Sequence, residues 1–306
     1  MAKYLLWRLG EAGFSILGLL TLVFFAARLT GDPAAMMLPI GASEAQLAEF
    51  RQATGLDRPL PVQFVSFLFH VVQGDFGTSL QFQRPALEVV LERLPATMEL
   101  AATALVLGAV FGVIAGIVAA LKRGTVIEFG AMSLALLGQA TPVFWLGIIL
   151  ILVFSVRLQW LPAGGRGGLE HLVLPGITLA MFTTASIARL LRSSMIEVLK
   201  EDYIRTARAK GLLTRIVYLR HAARNALIPV VTMLGILAGE LLGGAVVTET
   251  IFSWPGVGRL ILFAIDTKDF AVVQAGVAVI AVLFILVNLL VDLSYGLLDP
   301  RIRVAT

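Results

Sequence analysis

Cysteine is absent from this chain of 306 residues, and histidine occurs only three times. The lack of cysteine excludes disulfide bonds, thiolate metal sites and a cysteine nucleophile. His70, His171 and His221 lie far apart, and none has a second histidine at the spacing of two metal ligands on one helix. A GxxxxGK(S/T) motif is also missing, so the sequence predicts no ATP-binding phosphate loop, no metal site and no cofactor bound by this chain.

Charged residues are also scarce, at 14% of the chain, whereas hydrophobic residues make up 58%. A typical soluble domain has about 25% charged and about 45–50% apolar residues. With a mean hydropathy of +0.91, the chain has too little polar surface to cover a globule in water. The composition therefore predicts an all-α polytopic membrane protein rather than a soluble enzyme.

Long apolar segments indicate how often the chain crosses the bilayer. A helix needs about 20 apolar residues to cross the hydrocarbon, and six segments meet this requirement. The predicted spans are residues 9–27, 97–121, 129–156, 172–191, 229–247 and 271–291. The third is long enough to tilt or kink, and the fifth contains one carboxylate, Glu240.

The first apolar segment has a signal peptide as its alternative interpretation, because Lys3 and Arg8 precede it. It is longer than a typical cleavable apolar core, and the following GDPAAMMLP contains no good small-x-small cleavage site. We therefore interpret it as an uncleaved first helix.

Basic residues are distributed unevenly between the loops that these spans define. With the N-terminus in the cytoplasm, the cytoplasmic segments hold 15 of the 24 Lys and Arg residues, and the short outer segments hold five. Because Lys and Arg accumulate in short cytoplasmic loops, this distribution predicts a multi-pass membrane protein with both termini cytoplasmic. The net charge of +4 is then mostly a topology signal, and no nucleic-acid partner is expected.

The predicted outer loop, residues 30–95, is too long to be a plain connector. Ser43 followed by Gln46 is typical of a helix capping box. The loop has two open interpretations: a helical cap on the outer ends of the spans, or a docking surface for a partner. Apolar residues recur further along it at helical spacing, namely Phe64, Phe67, Leu68 and Val71.

The predicted cytoplasmic segment between the fourth and fifth spans contains a helix–turn–helix pattern. Gly211 is placed to end a first helix in a left-handed cap, Thr214 to cap a second helix, and Pro229 to open the fifth span. In SSMIEVLKEDYIRTARAKG, two faces are predicted for the first helix: an apolar stripe of Ile196, Leu199, Tyr203 and Ala207, and a charged face of Glu201, Arg205 and Arg208.

Such a segment could bind anionic lipid headgroups or occupy a groove of a soluble partner. Its mixed charge and its sharp glycine turn favour the partner.

The same segment resembles a known family. EDYIRTARAKGL, followed by RHAARNALIPVVT, resembles the cytoplasmic signature loop of bacterial ABC-transporter permeases, and more narrowly of the dipeptide/oligopeptide/nickel permeases with a large first periplasmic loop. Where the general signature has Glu-Ala-Ala, this chain has Arg205-Thr206-Ala207 before Gly211, a departure that is usual in the peptide branch. Further matches cover nearly the whole chain in order: RLTGDPA, GDFGTS, RLPATMELA, LQWLPAGG, ETIFSWPGVGRL and VDLSYGLLDPRIR.

The resemblance implies a transmembrane permease subunit of an ABC importer that carries peptides or a similar small solute from the periplasm into the cytoplasm. Its expected partners are a second homologous permease subunit, two cytoplasmic ATPase subunits that use ATP and Mg, a periplasmic solute-binding protein and membrane lipid. The chain itself would not be an enzyme. It would comprise a first helix within 1–29, a periplasmic loop region at 30–95 and a five-helix permease core at 96–306, with a coupling loop at 192–228.

The resemblance also assigns residues to that coupling loop. The loop would sit in a cleft of one ATPase, and closure of the ATPase pair would switch the spans between inward and outward openings by rigid-body motion. The residues so assigned are Tyr203, Arg205, Thr206, Ala207, Ala209, Lys210, Gly211, Arg220, His221, Asn225 and Pro229.

Polar residues within the spans are candidates for the translocation path. Because a carboxylate in a membrane is costly and usually faces a cavity or a partner, Glu240 would meet a substrate amine or pair with the partner permease. Gln139 and Pro142 mark either a packed kink or a bend that lines the path. Small residues of the fifth span predict a close helix contact, namely Gly235, Gly239, Gly243 and Gly244.

Two other classes of protein compete with the permease. A proton-coupled secondary carrier would use Glu240 and would contain inverted repeats with paired broken helices, which the sequence does not suggest. An intramembrane enzyme would need paired aspartates, a Ser–His pair or a His-Glu-x-x-His helix within the spans, and none is present. The ABC permease is therefore the preferred interpretation.

Overall fold

A computed structural model describes the backbone of residues 2–29 and 42–298. The described residues divide into two compact units, one formed by residues up to Pro95 together with Gly256–Leu286, and the other by Ala96–Pro255 together with residues from Val287 onward. Residues 30–34 of RLTGDPA and 299–303 of the C-terminal motif lie outside the described residues.

Helices account for the regular structure of this part of the chain, and the pairing between strands there is limited to an isolated bridge between Thr78 and Pro85. In chain order the helices are α1 (Ala2–Leu29), α2 (Glu44–Thr54), α3 (Leu60–Val72), α4 (Ala86–Leu121), α5 (Val126–Ala140), α6 (Val143–Leu150) with a π-helical continuation (Ile151–Arg157), α7 (Glu170–Val198), α8 (Asp202–Ala209), α9 (Thr214–Ile216) with a π-helical continuation (Val217–Ala222), α10 (Ala223–Ala226), α11 (Ile228–Ile251), α12 (Val257–Asp266) and α13 (Phe270–Leu298).

The predicted all-α membrane fold is confirmed. Among the described residues, four helices are long and apolar enough to cross a membrane, namely α4, α7, α11 and α13, and α5 with the following helix forms a bent fifth candidate. The first predicted span lies in α1, whose apolar part Gly13–Leu29 is shorter than the four candidate spans. The count of six crossings remains a prediction.

The third predicted span is broken rather than kinked. Helix α5 and the helical segment Val143–Arg157 are bent by 107° relative to one another. Thr141 and Pro142 have extended backbones with ψ values of 126° and 132°, because a residue before proline is disfavoured in the helical region and Pro142 cannot donate the N–H that would continue α5. The kink expected at Pro142 is therefore a full break between two helices.

In the first unit, the predicted outer loop contains two helices. The capping box at Ser43 is confirmed, since its Oγ accepts from the N–H of Gln46 and its own N–H donates to Gln46 Oε1. On α3 the predicted apolar stripe is half-buried, and the ring centroids of Phe64 and Phe67 lie 5.2 and 5.3 Å from that of Phe24 on α1. Part of the loop is therefore held on the first helix by aromatic packing.

A buried carboxylate holds the GDFGTS motif in the same unit. Ser79 Oγ donates to Asp269 Oδ2 over 2.5 Å, and the N–H of Gln81 donates to the same oxygen. Gly77 has a φ of +86°, which favours glycine at this turn. Because Asp269 lies directly before α13, this hydrogen bonding joins the end of the outer loop to the start of the last apolar helix.

In the second unit, α4 and α7 lie unusually close together. A Cβ atom added to Gly108 would lie 2.6 Å from Thr183 Cβ, and one added to Gly112 would lie 2.7 Å from Ile187 Cβ. A Cβ on Gly116 would lie 2.9 Å from the backbone oxygen of Ala188. Glycines four residues apart thus form the surface on which α7 packs, as expected for small-residue contacts between membrane helices.

Candidate functional site

The predicted coupling segment begins with a break in the helix. Helix α7 ends at Val198, and Glu201 has an extended backbone (φ −63°, ψ 147°) before α8 begins at Asp202. The prediction of one helix with a continuous stripe through 196–207 is therefore wrong. The predicted charged face is also wrong, because Glu201 lies outside the helix and Arg205 contacts Asp202 instead, at 3.1 Å.

Helix α8 has one buried face and one exposed face. Ile204 and Ala207, three residues apart, are buried in a core cluster together with Leu191 and Met195 of α7. Tyr203, which belongs to the predicted apolar stripe, is 41% exposed and lies on the other face. The exposed face consists of Tyr203, Arg205, Thr206, Arg208, Ala209 and Lys210. Ile204 and Ala207 thus hold the helix in the core, and its other face presents mainly polar side chains outward.

Gly211 ends α8 as the sequence predicted. Its φ is +74°, its N–H donates to the carbonyl of Arg208, and the N–H of Leu212 reaches the carbonyl of Ala207 at 3.4 Å. This left-handed conformation strains residues that have a Cβ. A Cβ on Gly211 would meet no atom within 4 Å, so the turn projects into open space.

The second half of the segment starts at Thr214 and runs to Ala226 through a π-helical stretch. Thr214 is the first helical residue and Leu213 is the N-cap, so the prediction that Thr214 caps the helix is wrong. Val217, Ala222, Ala223 and Ala226 are buried in the same core cluster as Ile204. Pro229 lies in the first turn of α11, as predicted, where its missing N–H leaves no hydrogen bond unmade.

Two side-chain contacts join the halves of the segment. The Nδ2 of Asn225 donates to the hydroxyl of Tyr203 over 2.7 Å. The guanidinium carbon of Arg208 lies 5.9 Å from the ring centroid of Tyr218, within the range of a cation–π contact. Tyr203, Arg208 and Asn225 are exposed, so these contacts restrict side chains that would otherwise be free to move at the surface of the turn.

A cavity of about 600 Å³ opens beside this hydrogen bond. Its polar lining is formed by Tyr203, Arg220, His221, Arg224 and Asn225. Arg220 and Arg224 are exposed, and their guanidinium groups are suited to carboxylate or phosphate ligands. The structure thus brings together five residues of the segment, of which four are among the predicted coupling residues.

The candidate path residues are not joined to one another by contacts. Glu240 is exposed on α11, Gln139 is half-buried and Pro142 is exposed at the break. Within the described residues, neither Glu240 nor Gln139 makes a side-chain hydrogen bond or ion pair. Gly235 packs closely, since a Cβ there would overlap the side chain of Val291, whereas a Cβ on Gly243 would meet no atom within 4 Å. The predicted close contact is therefore present at Gly235 and is not extended to Gly243 among the described residues.

A second carboxylate of α11, Glu249, was not singled out from the sequence. Its side chain is fully buried and accepts a hydrogen bond of 2.6 Å from Thr97 Oγ1. Trp254, also fully buried, donates from Nε1 to the carbonyl of Ala96 over 2.8 Å. Both contacts join α11 and the turn after it to α4. The signal was present in ETIFSWPGVGRL, but spacing alone does not place Thr97 beside it.

Comparison with known proteins identifies the family. Residues 112–304 match the model of the binding-protein-dependent transport system inner membrane component, and residues 1–101 match the N-terminal membrane component of such systems. The chain is 42% identical to the di/tripeptide transport system permease protein DppB of Pseudomonas aeruginosa, with 99% of each chain covered. It is 44% identical to the glutathione transport system permease protein GsiC of Salmonella typhi, again with 99% of each chain covered.

Solved structures support the fold. Inward-facing MetNI methionine ABC transporter resembles this chain with a TM-score of 0.55 and 16% identity, covering 69% of this chain and 96% of that chain. An amino acid ABC transporter gives a TM-score of 0.52 at 17% identity, covering 70% and 94%.

These matches exclude the secondary-carrier alternative, because coverage by one permease family extends over almost all of the sequence. The chain is a multi-pass inner-membrane protein and belongs to the family of binding-protein-dependent transport system inner membrane components, as an ABC-transporter permease subunit of the peptide-permease type.

Proposed function

We propose that this permease imports small peptides or peptide-like solutes, and that partner ATPases supply the energy. The named relatives transport di- and tripeptides and glutathione, which are small solutes with an amino group and a carboxylate in common. The exposed left-handed turn at Gly211, on a segment anchored in the core, is the observation that supports energy coupling through another chain.

The proposed orientation places the coupling segment and both termini in the cytoplasm. Its support is the excess of Lys and Arg in the segments assigned to that side. Residues 30–95 would then form the periplasmic loop region, available to a solute-binding protein. Exposed apolar residues on the outer face of α3, such as Val65 and Phe69, suit such docking.

The exposed face of α8 would form a rigid ridge, and this ridge would fit into a cleft of one ATPase. Arg205, Thr206, Ala209 and Lys210 are exposed, whereas Ala207 of the same helix is buried in the core. A force on these exposed residues would therefore be transmitted to α7 and α11 through Ile204 and the core cluster around it. Because packed helices transmit displacement rather than absorb it, closure of the two ATPases would move the spans as rigid bodies.

The basic cavity beside Asn225 would receive an acidic group of the ATPase. Arg220 and Arg224 provide the positive charge, His221 adds a polar ring to the lining, and the hydrogen bond between Asn225 and Tyr203 lies at the rim. ATP and Mg would be bound and used by the ATPase subunits alone. A second homologous permease would complete the assembly.

Glu240 would line the translocation path. A carboxylate facing hydrocarbon at the centre of a span costs about 2.5–3.5 kcal/mol on insertion scales. Because Glu240 is exposed and has no ion-pair partner within the described residues, a water-filled path is the environment that removes this cost. There it would meet the α-amino group of a peptide. Gln139 would supply a further polar group on the path, and Pro142 would form the bend beside it.

The experiment that tests the proposal is co-purification followed by reconstitution. The full chain is isolated from detergent-solubilised membranes, its companions are identified by mass spectrometry, and the assembly is placed in proteoliposomes. Recovery of a Walker-motif ATPase and a second permease, with peptide uptake that requires ATP, is the expected result. Uptake by the isolated chain without ATP would reject the proposal.

A further inference from the structure

A cavity of about 660 Å³ lies between α5 and α7, and its lining reaches the predicted coupling loop at Arg192, the first residue of that loop. One wall is apolar and is formed by Phe129, Met132 and Leu136, which recur along one face of α5. Phe129 and Leu136 are 75% and 49% exposed. With a rise of 1.5 Å per residue, this wall is about 10 Å long. It is therefore long enough to contact a section of a hydrocarbon chain.

The end of the cavity is basic. Arg189 and Arg192 of α7 line it, and Lys122 and Arg123 precede it in the turn between α4 and α5. Glu128 is the acidic residue of the lining. The cavity therefore combines a hydrocarbon-like wall with a positively charged end.

The charge of Glu128 is already satisfied. Arg192 Nε donates to Glu128 Oε1 over 2.7 Å, and the N–H of Gly124 donates to Oε2 over 2.5 Å. Arg189 makes neither a hydrogen bond nor an ion pair among the residues that the structure describes, and its side chain is exposed. Within this lining, Arg189 is therefore the cation that is available to an external anion.

We propose that this cavity binds an anionic phospholipid, with its phosphate at Arg189 and an acyl chain along Phe129, Met132 and Leu136. Basic pockets between membrane helices on the cytoplasmic side are suited to acidic headgroups. The inference rests on the proposed orientation, which puts this basic end at the inner leaflet. A free phosphate would satisfy the charge but would leave the apolar wall exposed, so the lipid fits both parts of the site.

Native mass spectrometry of the full chain with added phosphatidylglycerol tests the proposal. Arg189→Gln is expected to lower retention of this lipid about fivefold, the effect of removing one cation near a membrane surface, whereas Arg189→Lys retains it. The matched control is Arg157→Gln, which removes a basic residue from the last turn of the helical segment that ends at Arg157. Retention of zwitterionic phosphatidylethanolamine should be low and equal in all four proteins.

A photoactivatable phosphatidylglycerol with a diazirine in its acyl chain provides a measurement on the unmodified protein. Cross-links are expected in the peptide around Met132. Unchanged retention in Arg189→Gln, equal loss in Arg157→Gln, equal retention of phosphatidylethanolamine, or cross-links spread evenly over the spans would each overturn the proposal. Cross-links that disappear when the whole transporter assembles would also overturn it, because the partner permease would then cover the cavity. None of these outcomes depends on whether uptake requires ATP.

Discussion

The amide of Asn225 donates a hydrogen bond of 2.7 Å to the hydroxyl of Tyr203, across 22 residues of the chain. This contact joins α8 to the last turn before α11 and lies at the rim of the basic cavity. It therefore connects the exposed face of α8 to the segment that leads into α11, the helix that carries Glu240. The hydrogen bond is exposed, so its expected role is to hold a shape rather than to stabilise the fold.

Replacement of Tyr203 by Phe should weaken coupling with little loss of stability. The change removes the acceptor of Asn225, and an exposed hydrogen bond contributes about 0.5–1.5 kcal/mol at most. We expect a nearly unchanged melting temperature and a clear fall in peptide uptake per ATP hydrolysed in proteoliposomes. Tyr218→Phe is the control, because it keeps the ring beside Arg208. Equal uptake per ATP in Tyr203→Phe and the native protein would contradict the role of this contact.

Bulky replacement of Gly211 should uncouple hydrolysis from uptake. Ala at this position costs about 1–2 kcal/mol, because a Cβ is strained at positive φ. Trp adds volume to a turn surrounded by open space, so it should obstruct docking without disturbing the core. We expect uptake to fall at least about tenfold, as for loss of an interface anchor. The control is Gly165→Trp, at a second left-handed glycine with open space, and normal uptake in Gly211→Trp would reject the coupling assignment.

Glu240→Gln should change substrate preference and not the energy source. If the carboxylate meets the α-amino group, the variant should import a dipeptide several-fold more slowly, whereas uptake of the N-acetylated dipeptide should be unaffected. ATP should still be required. Competition uptake assays with both peptides measure this, and Glu170→Gln, at an exposed glutamate, is the control. An equal effect on both peptides would mean that Glu240 does not select the amino group.

Thr97→Val should destabilise the second unit. It removes the hydroxyl that donates to Glu249, and loss of a hydrogen-bond partner for a buried polar group costs about 1–3 kcal/mol. We expect a drop in melting temperature of several degrees in detergent. Thr178→Val is the matched control, because its buried hydroxyl bonds only to the carbonyl of Leu174 in its own helix. A smaller drop in Thr97→Val than in Thr178→Val would contradict a stabilising role.

The absence of cysteine allows a clean test of orientation, because any single introduced thiol is the only one in the chain. Thr214→Cys lies in the segment assigned to the cytoplasm and Gln52→Cys in the outer loop, and both positions are exposed. A membrane-impermeant maleimide added to intact spheroplasts should label Gln52→Cys alone. Labelling of Thr214→Cys under these conditions would reverse the proposed topology.

Local signals in the sequence predicted local structure well. The capping box of Ser43, the left-handed end at Gly211 and the helix start at Pro229 depend on neighbours within a few residues, so their types and spacing are sufficient. The prediction of an all-α membrane fold succeeded for a similar reason, because hydrocarbon requires continuous apolar helices.

The errors arose where the backbone departs from a regular helix. Periodicity assumes a continuous helix, so it could not detect the extended backbone at Glu201, which turns Tyr203 outward. It likewise underestimated the break at Pro142. Long-range partners were inaccessible too: Thr97 and Glu249 are 152 residues apart, and only the fold places them together.

The glycines of α4 affect how far a displacement of the coupling segment is transmitted to the spans. Helix α7 leads directly into that segment, and α4 is in contact with α7 along Gly108, Gly112 and Gly116. Because these glycines have no side chains that could rearrange between the two backbones, we expect α4 and α7 to move together. An ATPase that binds the short coupling turn would therefore move α4 and α7 together as one rigid body. The rigidity of this pair comes from the absence of a Cβ atom at three positions of α4.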